Sequence, residues 1–109
     1  MDFNRLTIKS QEAVGAAQEL ARRSGNPEIY PEHVLIALLD QELPRTLVPS
    51  ASALRAEAEA RLSARPAVAG ASQQPRVSTA FSATLDRAFD EARELGDDYV
   101  SVEHLLLAL

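Results

Sequence analysis

The chain contains no cysteine and no tryptophan. Without thiols it builds neither a disulfide frame nor a thiolate metal site, an absence that fits a reducing cytosol. Only five of its 109 residues are aromatic, and Lys9 is its one lysine. There is no run of Lys and Arg, and the net charge is −5. Such a surface does not draw nucleic acid or an anionic membrane through its overall field. No apolar run approaches a membrane span, and the N-terminus lacks an apolar stretch of signal-peptide length. No Gly-rich phosphate loop ending in Gly-Lys-Ser/Thr is present, and no Ser-His-Asp set stands out, so this chain is not expected to be an ATPase or any other enzyme. These absences predict a cytoplasmic protein with no nucleic-acid or membrane partner and no cofactor.

Alanine is abundant, while Val, Ile and Thr are sparse, so helix is favoured over sheet. Thr7 is placed to cap a first helix. After it, Val14, Ala17, Leu20 and Ala21 fall on one face. Gly25 suits the left-handed residue that ends a helix, and Asn26-Pro27 turn the chain. Pro31 opens a second helix whose apolar face holds Val34, Leu35, Leu38 and Leu39. Residues 40–50 contain two prolines and read as loop, with one helical turn around Thr46 to Val48. Ser52 caps a third helix, "ALRAEAEARL", with Leu54, Ala58 and Leu62 on one side. Residues 63–77, "SARPAVAGASQQPRV", read as a linker. Ser78 then caps a helix striped by Phe81, Leu85, Ala88, Phe89, Ala92 and Leu95. Gly96 stops it, Asp97-Asp98 turn, and Ser101 caps the last helix.

A shift of 71 positions aligns the two halves without a gap. It pairs Ala17 with Ala88, Ala21 with Ala92, Gly25 with Gly96, Glu32 with Glu103 and His33 with His104. Apolar type is kept at Ile29/Val100 and Val34/Leu105, and the caps keep step at Thr7/Ser78. The sequence is a duplicated helical hairpin whose copies pack about a pseudo-twofold axis. The expected fold is all-α, with repeat 1 over 1–70 and an incomplete repeat 2 over 71–109, together one domain. Five or six helices and no sheet are expected; a strand anywhere within 10–39 or 81–109 would sink the duplication. Nothing in the second copy matches residues 39–70. Leu105, Leu106 and Leu109 are therefore expected to leave apolar surface, an opening for self-association.

The stretches "LTIKSQEAV", "ELARRSGNPEIYPEHVLIALL" and "AFDEARELGDDYVSVEHLLLAL" together resemble the Clp N-terminal repeat domain over nearly the whole chain. The opening "MDFNRLTIKSQEA" and the long linker resemble the ClpB disaggregase type more than ClpC or ClpA. "LPRTLVPSAS" stands where that family carries a short helix and a Gly turn, so the first copy looks shortened there. The resemblance implies an all-helical domain ahead of AAA+ ATPase modules in the same or a partner chain. It would recruit unfolded or aggregated proteins, directly or through adaptors; the alternatives are a ClpC-like domain that reads phosphoarginine-tagged or adaptor-delivered proteins for degradation, and a stand-alone Clp-like partner protein.

The same resemblance carries candidate residues. Thr7, Asp97 and Glu103 match ClpB positions implicated in substrate handling; their plain structural roles are cap, turn former and helix-start acid. The ClpC-like alternative has Glu32 and Glu103 holding the guanidinium of phosphorylated arginine. The helix starts at Thr7 and Ser78 would then hold the phosphate, an arrangement suited to free amides and a helix dipole. His33 and His104 with the neighbouring acids suggest zinc only if the pairs face one another, as in a small helical metalloenzyme. The structural reading puts each histidine at the core edge, bonded to a nearby turn, and no metal site is assigned. Phe3, Leu6 and Ile8 are candidates for an exposed apolar edge.

Overall fold

The computed structural model describes residues 3–67 and 74–109. A 3-10 turn at Phe3–Arg5 leads into α1 (Ile8–Arg23). A two-residue strand β1 (Glu28–Ile29) precedes α2 (Pro31–Leu39), followed by α3 (Glu42–Leu47) and α4 (Ala51–Ser63). A second short strand β2 (Arg76–Val77) leads to α5 (Thr79–Glu94) and α6 (Val102–Ala108). The fold is all-α, with six α-helices and one very small sheet among the described residues. The expected boundary between residues 70 and 71 lies outside the described residues.

Local chemistry sets the helix ends. The Thr7 hydroxyl accepts from Ser10 N–H at 3.2 Å, and Ser78 accepts from Phe81 N–H at 3.0 Å. Each satisfies an amide that the first turn leaves free. Gly25 and Gly96 take φ of 73° and 76° just past α1 and α5, a left-handed turn that costs a residue with a Cβ more. Pro31 is the first residue of α2, where its missing N–H removes no bond.

The core is the apolar stripe of both hairpins. Ala17, Ala21, Val34, Leu38, Phe81, Leu85, Ala88, Ala92, Val100 and Leu105 are all buried. Small alanines line α1 and α5, so the helix pairs approach closely and fill the space with few voids. α2 is central: it packs on α1 and α4 and reaches α5 and α6. Leu95, expected on the α5 stripe, is instead 62% exposed. It is the residue next to Gly96, where the chain already swings away from the partner helix.

The expectation of no strand within 10–39 is wrong at Glu28–Ile29. β1 pairs in parallel with β2, Ile29 opposite Val77, and an isolated bridge joins Leu6 to Val100. The shift of 71 converts one pair into the other: Leu6 corresponds to Val77, and Val100 to Ile29. Each copy thus lends the segment before its long helix to the turn of the other copy. The strands follow the duplication, and buried backbone groups here need such partners.

Three further expectations change. Residues 42–47 form a helix, so the first copy is not short of one there; Pro44 sits at its third position, where the N–H has no helical partner to lose. The residue capping α4 is Ser50, in a left-handed conformation at φ 55°, and not Ser52. Leu6 is buried rather than part of an exposed edge, while Phe3 and Ile8 are exposed. Of the three leucines expected to leave apolar surface, Leu105 is fully buried, Leu106 half-buried and Leu109 38% exposed. Leu105 corresponds to Val34 and faces the interior of its own hairpin. The side chain left in water is Leu107, 66% exposed; its counterpart Ile36, which lines a cavity with residues of α4, is 4% exposed.

Candidate functional site

The two turns carry the same histidine arrangement. In copy one, Tyr30 N–H donates to His33 Nδ1 at 2.9 Å, and His33 Nε2–H donates to Asn26 Oδ1 at 3.0 Å. In copy two, Ser101 N–H donates to His104 Nδ1 at 2.9 Å, and His104 Nε2–H donates to Asp97 Oδ2 at 3.0 Å. Because Nδ1 accepts a main-chain N–H in both, each ring is the neutral tautomer with its proton on Nε2. Both nitrogens of each ring are thus engaged in holding a turn, as the structural reading of the histidines expects. Among the described residues no group of three or more His, Cys, Asp or Glu side chains is placed to hold a metal ion.

The surroundings of the two rings differ. His33 is fully buried and Asn26 nearly so. Burial pushes His33 down to about 4; the nearby Glu32 carboxylate raises it and the Arg65 guanidinium lowers it. His104 is paired with a carboxylate whose side chain is 52% exposed. Gly96, Asp97, Asp98, Tyr99, Ser101 and His104 line an open recess of about 430 Å³. Tyr99 projects from it into water.

Thr7 lies on the edge of this second turn. Its main-chain N–H donates to the Val100 carbonyl at 3.0 Å. Its hydroxyl also donates to Ser10 Oγ at 3.0 Å, and Ser10 Oγ–H donates to the same Val100 carbonyl at 2.9 Å. Asp97 reaches the turn through His104, and Glu103 is the exposed second residue of α6. Thr7, Asp97 and Glu103 are therefore tied to one turn, from two copies.

The other expected cluster divides between the copies. Ser78 N–H donates to the Ile29 carbonyl at 3.2 Å, so the start of α5 adjoins the Glu32 turn, as the start of α1 adjoins the Glu103 turn. Ser78 is buried with its hydroxyl committed to Phe81. Glu32 is half-buried and lies 3.7 Å from Arg65, whereas Glu103 makes no ion pair among the described residues. Sequence reasoning missed two participants. Tyr99 lay within a stretch quoted for the family resemblance but was given no role of its own, and Arg65 lay in a stretch read only as linker.

Two copies of one hairpin, each trading its leading segment for a place on the other's turn, define a duplicated all-helical repeat domain. The Clp repeat (R) N-terminal domain family matches residues 5–109, and the chain belongs to that family. Chaperone protein ClpB of Nitratidesulfovibrio vulgaris is 42% identical over 118 residues, and that of Mycobacterium tuberculosis 39% over 115. Each match takes in 100% of this chain and 14% of the relative, so the chain spans about a seventh of the length of these proteins. The N-terminal domain of the ClpV1 ATPase from E. coli superposes with a TM-score of 0.83 at 27% identity, over 97% of this chain and 68% of that one. The Hsp104 N-terminal domain from Candida albicans superposes at 0.85 with 24% identity, over 94% and 71%, a likeness of fold.

Proposed function

We propose that this chain is the protein-recruiting N-terminal domain of a ClpB-like disaggregase in the cytoplasm. It captures unfolded or aggregated polypeptides, or the adaptors that deliver them, for AAA+ ATPase modules in the same or a partner chain. The observation that carries this reading is that relatives named chaperone protein ClpB match along the whole chain. Thr7, Asp97 and Glu103 are the contact residues, around the open turn of copy two. An exposed aromatic beside exposed acids suits an extended polypeptide with apolar and basic side chains. A phosphoarginine-reading role through Thr7, Glu32, Ser78 and Glu103 has less support. Glu32 already faces a guanidinium of this chain, and the Ser78 hydroxyl is buried and committed.

The test compares binding to a chemically denatured, aggregating protein for the wild type and for Thr7→Ala with Glu103→Ala. Circular dichroism confirms that the double variant remains helical. Binding weakened severalfold supports the assignment; equal binding by a folded double variant returns these residues to purely structural roles.

A further inference from the structure

The first turn of α1 carries a hydroxyl that its counterpart in α5 lacks. Under the shift of 71, Ser10 corresponds to Phe81, and both side chains are fully buried. Phe81 fills its place with a ring. Ser10 fills it with a hydrogen bond: its hydroxyl donates to the Val100 carbonyl at 2.9 Å, across the boundary between the copies. A buried hydroxyl needs such a partner.

That bond fixes the direction of a second one. A carbonyl oxygen can only accept, so the Ser10 proton points at Val100. Thr7 Oγ1 stands 3.0 Å from Ser10 Oγ and must then supply the proton between them. Thr7 Oγ1 also accepts the Ser10 main-chain N–H at 3.2 Å. Its one proton and one of its lone pairs are thus spent inside the chain. What half-buried Thr7 still offers to the outside is a single acceptor lone pair.

The rest of the open turn has the same polarity. His104 Nδ1 is an acceptor, so the 3.1 Å contact with Ser101 Oγ has the serine as donor. Asp97 uses Oδ2 on His104, and Glu103 makes no ion pair among the described residues. At α5, Ser78 caps Phe81 with no hydroxyl beside it. The relay from Thr7 through Ser10 to Val100 therefore belongs to one turn and does not follow from the duplication.

We propose that Ser10 is a positioning residue for polypeptide capture: it takes up the proton of the Thr7 hydroxyl, so that Thr7 meets its ligand as a hydrogen-bond acceptor. This rests on the recruitment reading above and deepens it by naming the group received at Thr7, an N–H donor of the captured polypeptide. Without Ser10 the Thr7 proton has no fixed acceptor, and the lone pair is no longer held toward the ligand.

The experiment is a binding cycle on the whole chain with a permanently unfolded protein as probe, each variant first shown to be helical by circular dichroism. Thr7→Val keeps the shape and removes the hydroxyl. It and Ser10→Ala are each expected to weaken binding roughly three- to tenfold, the range of one hydrogen bond. Because Ser10 acts through Thr7, the double variant is expected to bind no more weakly than Thr7→Val alone. Its Tm is expected to fall further, since the Val100 carbonyl loses a buried donor in either background. A purely structural Ser10 would move Tm without this coupling. Ser10→Cys keeps the volume, donates poorly, and is expected to bind like Ser10→Ala. Wild-type binding by both Ser10 variants, or losses that multiply in the double variant, overturns the proposal and leaves the recruitment reading intact. If Thr7→Val itself binds as the wild type does, Thr7 is no contact and that part of the recruitment reading falls together with the proposal. NMR checks the polarity: the nuclear Overhauser contact from the Thr7 hydroxyl proton to Ser10 is expected to persist in the bound state. Its loss on binding would show Thr7 donating to the ligand and would overturn the proposal.

Discussion

In the first hairpin, His33 is sealed against Asn26, Tyr30 is covered by Arg65, and Ile36 lies under α4. In the second, His104 meets a half-exposed Asp97, Ser101 replaces the tyrosine, and Leu107 stands in water. The backbone frame of both turns is the same, down to the main-chain N–H given to the histidine. Duplication thus preserved the parts that hold a turn, while Asn26 and Tyr30 of copy one are replaced by Asp97 and Ser101 in copy two. The histidine partner is enclosed in the first turn and half-exposed in the second, where Tyr99 also stands in water.

The largest expected difference lies at the pair Ile36 and Leu107. Ile36→Ala removes buried methyl groups beside α4 and should cost about 2–5 kcal/mol, read as a clear drop in Tm. Leu107→Ala removes a side chain already in water and should stay within about 0.5 kcal/mol. Sedimentation sharpens the contrast: if copies of the chain associate through this surface, Leu107→Ala weakens the association and Ile36→Ala weakens folding. Equal destabilisation by the two variants would contradict the burial of Ile36 beside α4 and the exposure of Leu107 in this chain.

The next effect is on pH. His33 is held at about 4 by burial, against about 6.5 in an unfolded chain. Between those values the unfolded state binds the extra proton, so stability is full above about pH 6.5 and falls as pH drops toward 4. The loss attributable to this one group is on the order of 3 kcal/mol. Denaturant melts of the wild type and of His33→Gln across that window check it. The variant should be less stable near neutral pH and its stability flatter between pH 6.5 and 4. An unchanged slope would show that His33 is not the group being titrated.

The smallest effect concerns the partners of the two rings. Asp97→Asn gives copy two the amide of copy one, keeps an acceptor for His104 Nε2–H and should shift Tm by only a few degrees. Asn26→Asp puts a carboxylate in a nearly closed site, favours the protonated form of His33 and should raise its titration point in an NMR titration. If His33 titrates unchanged in the Asn26→Asp variant, the amide is not what distinguishes the two turns.

Much of this frame was legible in the residues. Thr7, Ser78 and Ser101 cap helices, Gly25 and Gly96 turn left-handed, and Pro31 opens α2, because each of these roles depends on local chemistry. The strands were not legible. Two residues are too few to show alternation, and Glu28–Ile29 is extended only because Arg76–Val77 lies beside it. Pro44 read as a breaker, although in the first turn of α3 it sacrifices no hydrogen bond. The histidines announced themselves, but their bonds to Asn26 and Asp97 depend on how the chain turns at glycine. Arg65 is the clearest case: in composition it belongs to a linker, and only the folded chain sets it over Tyr30.

The central claim is that the open turn of copy two, and not the covered turn of copy one, receives unfolded polypeptide. The direct measurement is an NMR titration of the labelled chain with a permanently unfolded protein, following every backbone amide. The account predicts that the perturbed amides cluster at residues 96–104 and at Thr7, with those of 25–33 little changed. Perturbations spread equally over both turns, or confined to residues 25–33, would contradict it.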